Sequence, residues 1–391
     1  MFCLIKFTNL VKPAKYKYRW RMKVLQICVD LDGGGIDRYL FNYCSRISNI
    51  QFDFAIVDNG KVGILEEPIK VFGGKIYRVP RQRGSLKKNY LALKKIMTEN
   101  TYDAVHVHLG YKSALALLCA KNCGIKTRIA HAHIAYEPEN FKQKIIRKIF
   151  SMLSKRYATS LLSCGADAGA WVWGKRCYRR GKVTIMNNAI ETERYAYSSE
   201  LRMMVRNDLG IAKDTFVVGH VGRLCEQKNQ LRLLDIFNEI NQKVSNSLLI
   251  LVGRGAQEKE IQDKIKRLGL EGRVKLLGVR NDVHALLNAF DVFVFPSTHE
   301  GLPFTLIETQ CNGLPALSAD TVTRFCKVGD CVDFLSLNVS DEVWATESLK
   351  LVSKGRSEEE YKNIAEQGYD IDVQAKRLEE YYYHAIEGNV Q

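Results

Sequence analysis

The sequence predicts an α/β protein built from two doubly wound halves that face each other across a cleft. Three observations carry that reading. The chain has 391 residues, which at about 150 per domain allows two or three domains, each able to bury its own core. Short β-branched or apolar runs alternate with longer amphipathic segments, the pattern of parallel strands joined by crossover helices. The alternation pauses in the polar stretch around Met186 to Ser199 and then begins again.

Met22 opens the first strand, which runs through Val24 to Val29. Phe52 to Val57, Ala104 to Val107, Arg128 to Ala130 and Ser160 to Ser163 follow as buried strands, with Leu86 to Met97 and Lys112 to Lys121 as helices between them. In the second half Phe216 to Val221, Leu248 to Val252, Val274 to Leu277, Val292 to Phe295 and Ala316 to Ser318 are strand-like, and helices begin near Asn229, Gln257 and Pro303. The expected division is a basic leader, 1–21, a first domain, 22–195, a second domain, 196–369, and a terminal helical segment, 370–391. The leader has neither the uninterrupted apolar stretch nor the cleavage site of a secretory signal, and reads as a misassigned start or a basic arm.

Charge is the unusual property. Lys and Arg number 58 against 43 Asp and Glu, a net of +15, so a polyanion, an anionic membrane or a phosphorylated substrate is a natural partner. Residues 1–195 carry +21 and the remainder −6. An acidic second half would repel a nucleic-acid backbone, and no zinc-finger, helix-turn-helix or RNA-recognition pattern is present, so a nucleic-acid-binding protein is disfavoured. The 11 Cys are scattered without metal-binding or disulfide spacing and read as reduced thiols. The longest apolar run, Ala114 to Ala120, is too short to span a membrane.

Four segments could do chemistry. Gly33-Gly34-Gly35 follows the first strand at an expected helix start, where it is either a plain tight turn or a cradle for phosphate. Its spacing is not G-x-G-x-x-G, which argues against a nicotinamide dehydrogenase. Gly222-Arg223, with Lys228, places two cations past the end of the strand Phe216 to Val221, suited to a diphosphate. Pro296 to Glu308 carries Glu300 in a polar turn and Glu308 inside an apolar helix, where its burial demands a hydrogen-bonding partner such as a ribose. His131 and His133 end one strand; His106 and His108, one strand earlier, read as structural. Asp30-Leu-Asp32 has a metal-binding look but precedes a glycine turn and reads as a loop.

With Glu300 and Glu308 after Pro296-Ser297, with Leu251 to Gly255 and with Leu277 to Val283, the segment from Val217 to Asp320 resembles the donor domain of the retaining glycosyltransferases of family 4, which have the GT-B fold of two Rossmann-like domains. The first half resembles the same family more loosely, through the glycine turn, the histidine-bearing strands and Asn187 to Tyr195. The closest likeness is to bacterial enzymes of exopolysaccharide and capsule assembly. The resemblance implies that Arg223, Lys228, Gly34 and Gly35 hold a donor diphosphate, that Glu308 binds the ribose, and that Val279 and Arg280 flank the base. It implies that Glu300, with Gly301 and Leu302 beside it, meets the sugar near the reacting carbon, and that His131 or His133 faces the reaction. It also implies a final helix that returns to the first domain, a front-face retaining mechanism, and no essential divalent metal or cofactor.

The expected substrate pair is therefore a nucleotide-sugar, a UDP-sugar with a hexose, and a lipid-diphosphate-linked saccharide. Asn140 to Tyr157 carries Lys142, Lys144, Arg147 and Lys148 without an acid, while Phe141, Ile145, Ile149, Met152 and Leu153 recur near helical spacing. That helix either meets an anionic membrane or packs its apolar stripe on the domain. A second basic cluster surrounds Trp171 and Trp173. The expected location is the cytoplasm, peripheral to the inner face of the membrane. A nucleotide-sugar binder without transfer, a phosphorylase or an epimerase could use the same scaffold.

Overall fold

A computed structural model describes residues 22–71, 74–82, 84–134, 140–353 and 355–388; the basic leader, 1–21, lies outside them. In the first domain β1 (Met22–Ile27), β2 (Ile50–Val57), β3 (Ile76–Val79), β4 (Ala104–Val107), β5 (Thr127–Ala132), β6 (Ser160–Ser163) and β7 (Thr184–Ile185) form one parallel sheet. Its order is β3-β2-β1-β4-β5-β6-β7. The second domain repeats the plan with β8 (Phe216–Val221), β9 (Ser247–Val252), β10 (Val274–Leu276), β11 (Val292–Phe295), β12 (Ala316–Ala319) and β13 (Val332–Leu335), in the order β10-β9-β8-β11-β12-β13.

Both orders reverse beside the first strand of the sheet, so each domain has a crevice past the carboxyl ends of its strands, between β1 and β4 and between β8 and β11. The central strands are buried on both faces, which is why they read as near-continuous apolar runs. Three edge strands, β3, β7 and β13, escape the sequence reading because they are short and mostly half-buried. β1 ends at Ile27, two residues before the run suggests, and Val29 is exposed.

Helices form where caps permit them. Asn140 opens the helix Phe141–Tyr157 with a reciprocal capping pair, its side chain accepting from the Gln143 amide while Gln143 accepts from the Asn140 amide. That helix buries Ser151 and Ser154, whose hydroxyls donate to the Val172 and Tyr111 carbonyls. Phe141, Ile145, Ile149 and Met152 therefore stay exposed, so the helix does not pack through the stripe that sequence periodicity picks out. Trp173 is fully buried, its indole donating to the Leu162 carbonyl, so it is a core residue and not part of a surface basic cluster. The last helix, Ile371–Glu387, is capped by Asp370 and lies on the first domain, where Tyr382 meets Gln26 of β1.

Candidate active site

The two crevices meet, and the contacts across them begin with glycine. Gly301 follows Glu300 in the loop after β11, and a Cβ there would stand 2.4 Å from the His133 carbonyl oxygen. Only glycine lets this second-domain loop close on the end of β5. Asn188 donates to the buried Leu302 carbonyl at 2.8 Å and ties the same loop to the first domain. At the base of the second crevice Gly253 has φ +139°, and its Cβ position would lie 2.0 Å from the Gly222 oxygen, so the β8 and β9 loops stack backbone on backbone beneath Arg223.

Glu300 is 9% exposed. Lys228 Nζ stands 2.6 Å from its Oε1, an ion pair in which that oxygen still lacks an aligned hydrogen-bond donor among the described residues. The ammonium also lies 4.7 Å from the centre of the Phe295 ring. Arg223 is exposed, and one guanidinium nitrogen is 3.9 Å from the Cβ position of Gly34 at the start of the helix Gly35–Cys44. Two cations and a helix N-terminus thus converge from opposite domains, although the Gly34 amide is already donating to Asp37.

Glu308 is 1% exposed, in the helix Phe304–Cys311. Its Oε1 accepts from Arg38 at 2.5 Å and from the Tyr195 hydroxyl at 2.9 Å, while Oε2 is buried without a hydrogen-bond partner among the described residues. The Glu308 charge raises the Arg38 pKa, and burial followed by that same charge raises Tyr195. Neither partner was singled out from sequence. The signal for Arg38 was present: a cation one turn inside a helix start opposes the helix dipole and asks for an anion nearby. Val279 is exposed, and Arg280 bends back onto Asp282, so its guanidinium is paired there and not with Glu308.

His131 and His133 lie on one face of β5, because the strand continues through the first of them. Neither points away from the other: their rings stack at 4.0 Å. His131 is fully buried, whereas His133 is only partly so. His106 and His108 join them, with His106 Nε2 3.1 Å from His131 Nδ1 and His108 Nδ1 2.8 Å from His133 Nε2. Burial lowers the pKa of all four imidazoles, to about 3 for His133.

A cleft of about 800 Å³ opens from Glu300 outward. Arg147, Lys148, Lys155 and Lys175 line it with Trp171, against two carboxylates, Glu300 at its inner end and Asp167. Arg147 lies over the Trp171 ring at 4.6 Å and donates to its carbonyl. Lys142 and Lys144 are exposed further along the same helix.

Two Rossmann-like sheets closing on a pair of buried glutamates define a GT-B glycosyltransferase. The family model described as Glycosyltransferase Family 4 matches residues 33–194, and that described as Glycosyl transferases group 1 matches 204–370. A Bacillus subtilis chain carrying the name glycosyltransferase EpsF is 30% identical over 89% of this chain and 93% of its own. The UDP-Gal:alpha-D-GlcNAc-diphosphoundecaprenol alpha-1,3-galactosyltransferase of Escherichia coli is 26% identical over 78% of this chain and 81% of its own. Anabaena HepE, solved in complex with UDP-glucose, superposes with a TM-score of 0.76 at 21% identity, covering 92% of this chain and 98% of that one. The chain belongs to the family 4 glycosyltransferases.

Proposed function

We propose that this glycosyltransferase moves a hexose, with retention, from a UDP-sugar to a lipid-diphosphate-linked saccharide in cell-surface polysaccharide assembly. The observation that carries the reading is the basic cleft that ends at Glu300. A saccharide reaching Glu300 leaves its anionic carrier among Lys148, Lys155 and Lys175, and the exposed Phe141, Ile145, Ile149 and Met152 beside them suit an acyl phase under anionic headgroups. The E. coli relative acts on a diphosphoundecaprenol acceptor by name, and HepE binds UDP-glucose.

In this reading Arg223 and Lys228 take the donor diphosphate, with Gly34 and Gly35 facing it, and compensate the charge that grows on the leaving group without a divalent metal. Donor binding draws Lys228 from Glu300, whose carboxylate then meets the positive charge developing at the anomeric carbon. The bond from that carbon to the diphosphate oxygen breaks, the acceptor oxygen bonds on the same face, and its proton passes to the departing phosphate. Glu308 Oε2, without a partner among the described residues, accepts from the ribose. Val279 and Arg280 border the base, Gly301 and Leu302 the sugar, and His133 rather than the sealed His131 contacts the reacting pair.

The test is purified protein with a UDP-sugar panel and a diphosphoundecaprenol-linked GlcNAc acceptor. Stabilisation by one UDP-sugar, acceptor-dependent UDP release and an α-linked product from an α-linked donor support the proposal. A donor hydrolysed without transfer, an inverted product, or equal recovery on anionic and neutral vesicles overturns the corresponding part.

A further inference from the structure

Six side chains form one continuous buried hydrogen-bonded chain through the first domain and the last helix, and its polarity follows from the orientation of the Gln26 amide at its centre. The chain runs His133, His108, Gln26, Tyr382, His106, His131. Gln26 stands on β1, the histidines on and just past β4 and β5, and Tyr382 on the last helix. All but His133 are at most 2% exposed.

The Gln26 amide oxygen lies 2.8 Å from His108 Nε2, and its nitrogen lies 3.0 Å from the Tyr382 oxygen. An amide oxygen only accepts, so His108 must carry its proton on Nε2. A sealed imidazole stays neutral, so His108 Nδ1 is a lone pair. At 2.8 Å from that lone pair, His133 Nε2 must donate. The alternative tautomer would set two lone pairs face to face at hydrogen-bond distance. On the other arm the Gln26 N–H donates to Tyr382, which donates to His106 Nδ1 at 2.6 Å, and His106 Nε2–H donates to His131 Nδ1.

We infer that Gln26 is a positioning residue for the transfer reaction: through His108 it holds His133 in the Nε2–H tautomer and so keeps an unprotonated Nδ1 on the residue that packs against the Glu300 loop. The inference rests on the proposed role of His133. His133 Nδ1 has no hydrogen-bond partner among the described residues, and the His133 carbonyl sits against Gly301, next to Glu300. A fixed lone pair there accepts from a hydroxyl of the sugar or the acceptor and cannot donate to one, which selects the substrate's orientation. The histidine ring nitrogens of His106, His108 and His131 also lie within 4.8 Å of one another, but the hydrogen bonds of the chain use the lone pairs that a metal would need.

The experiment is long-range proton–nitrogen correlation on ¹⁵N-histidine-labelled full-length protein at neutral pH, with His131→Gln and His133→Gln used for assignment. The expected spectrum has His133 protonated on Nε2 alone. Gln26→Leu should give mixed His133 tautomers and lower kcat about tenfold, the worth of one ordinary hydrogen bond, with the donor KM within about twofold. Tyr382→Phe cuts only the arm that leads away and should leave the His133 tautomer in place. A His133 proton on Nδ1, a doubly protonated His133, an equivalent of bound zinc, or an unchanged tautomer in Gln26→Leu overturns the inference. Gln26→Met, of similar length, replaces Gln26→Leu if that variant does not fold, and the spectrum of the unaltered protein decides the tautomer without either. The spectra need no substrate, so a failure of the proposed transfer reaction is seen separately in the turnover assay.

Discussion

Glu300 and Glu308 are both carboxylates in one short segment, yet their surroundings differ, and so do the expected effects of changing them. Glu300 is paired with the Lys228 ammonium at the inner end of the cleft, so Glu300→Gln should lower kcat about 100-fold or more while UDP-sugar binding, read by calorimetry, is largely kept. Glu308 is bound on one oxygen by Arg38 and Tyr195, so Glu308→Ala should chiefly weaken donor binding. Arg38→Ala leaves that carboxylate buried with only a hydroxyl partner. It should cost about 2 kcal/mol in urea unfolding, because a buried charge stripped of its cation is more expensive than an exposed one. A smaller loss in Arg38→Ala than in an exposed control such as Lys70→Ala would show that the pair is not structural.

At the scale of elements, the helix Phe141–Tyr157 shows how a correct period can mislead. Its apolar residues recur as an amphipathic stripe, but the face that packs is the one bearing Ser151 and Ser154, because small hydroxyls let the helix sit close to neighbouring carbonyls. Phe141→Ser with Ile149→Glu should therefore leave the unfolding free energy within about 0.5 kcal/mol of the parent while reducing recovery on anionic vesicles. Loss of stability without loss of vesicle binding would place the stripe in the core after all. The loop after β11 is the opposite case: Gly301→Ala inserts a methyl against the His133 carbonyl and should lower both stability, by about 1–3 kcal/mol, and turnover.

The whole molecule should lose stability in mild acid. The imidazoles of His106, His108, His131, His133 and His220 are all lowered by burial, so the unfolded chain takes up protons first as pH falls. Stability is complete above the ordinary imidazole value of about 6.5 and declines below it, by about 1.4 kcal/mol per pH unit for each imidazole kept neutral. A urea midpoint flat from pH 7.5 to 5.5 would contradict this. The sequence by itself determined the α/β class, the central strands of both sheets, the helix starts at Asn229, Gln257 and Pro303, and the two glutamates, because apolar period, turn residues and a charge inside an apolar helix are local signals. Only the tertiary structure decided that Arg38 meets Glu308, that His131 and His133 share a face, and that Gln26 and Tyr382, 356 positions apart, join the histidines in one chain. Those relations depend on register between parallel strands and on closure of two domains, and neither leaves a period in the sequence.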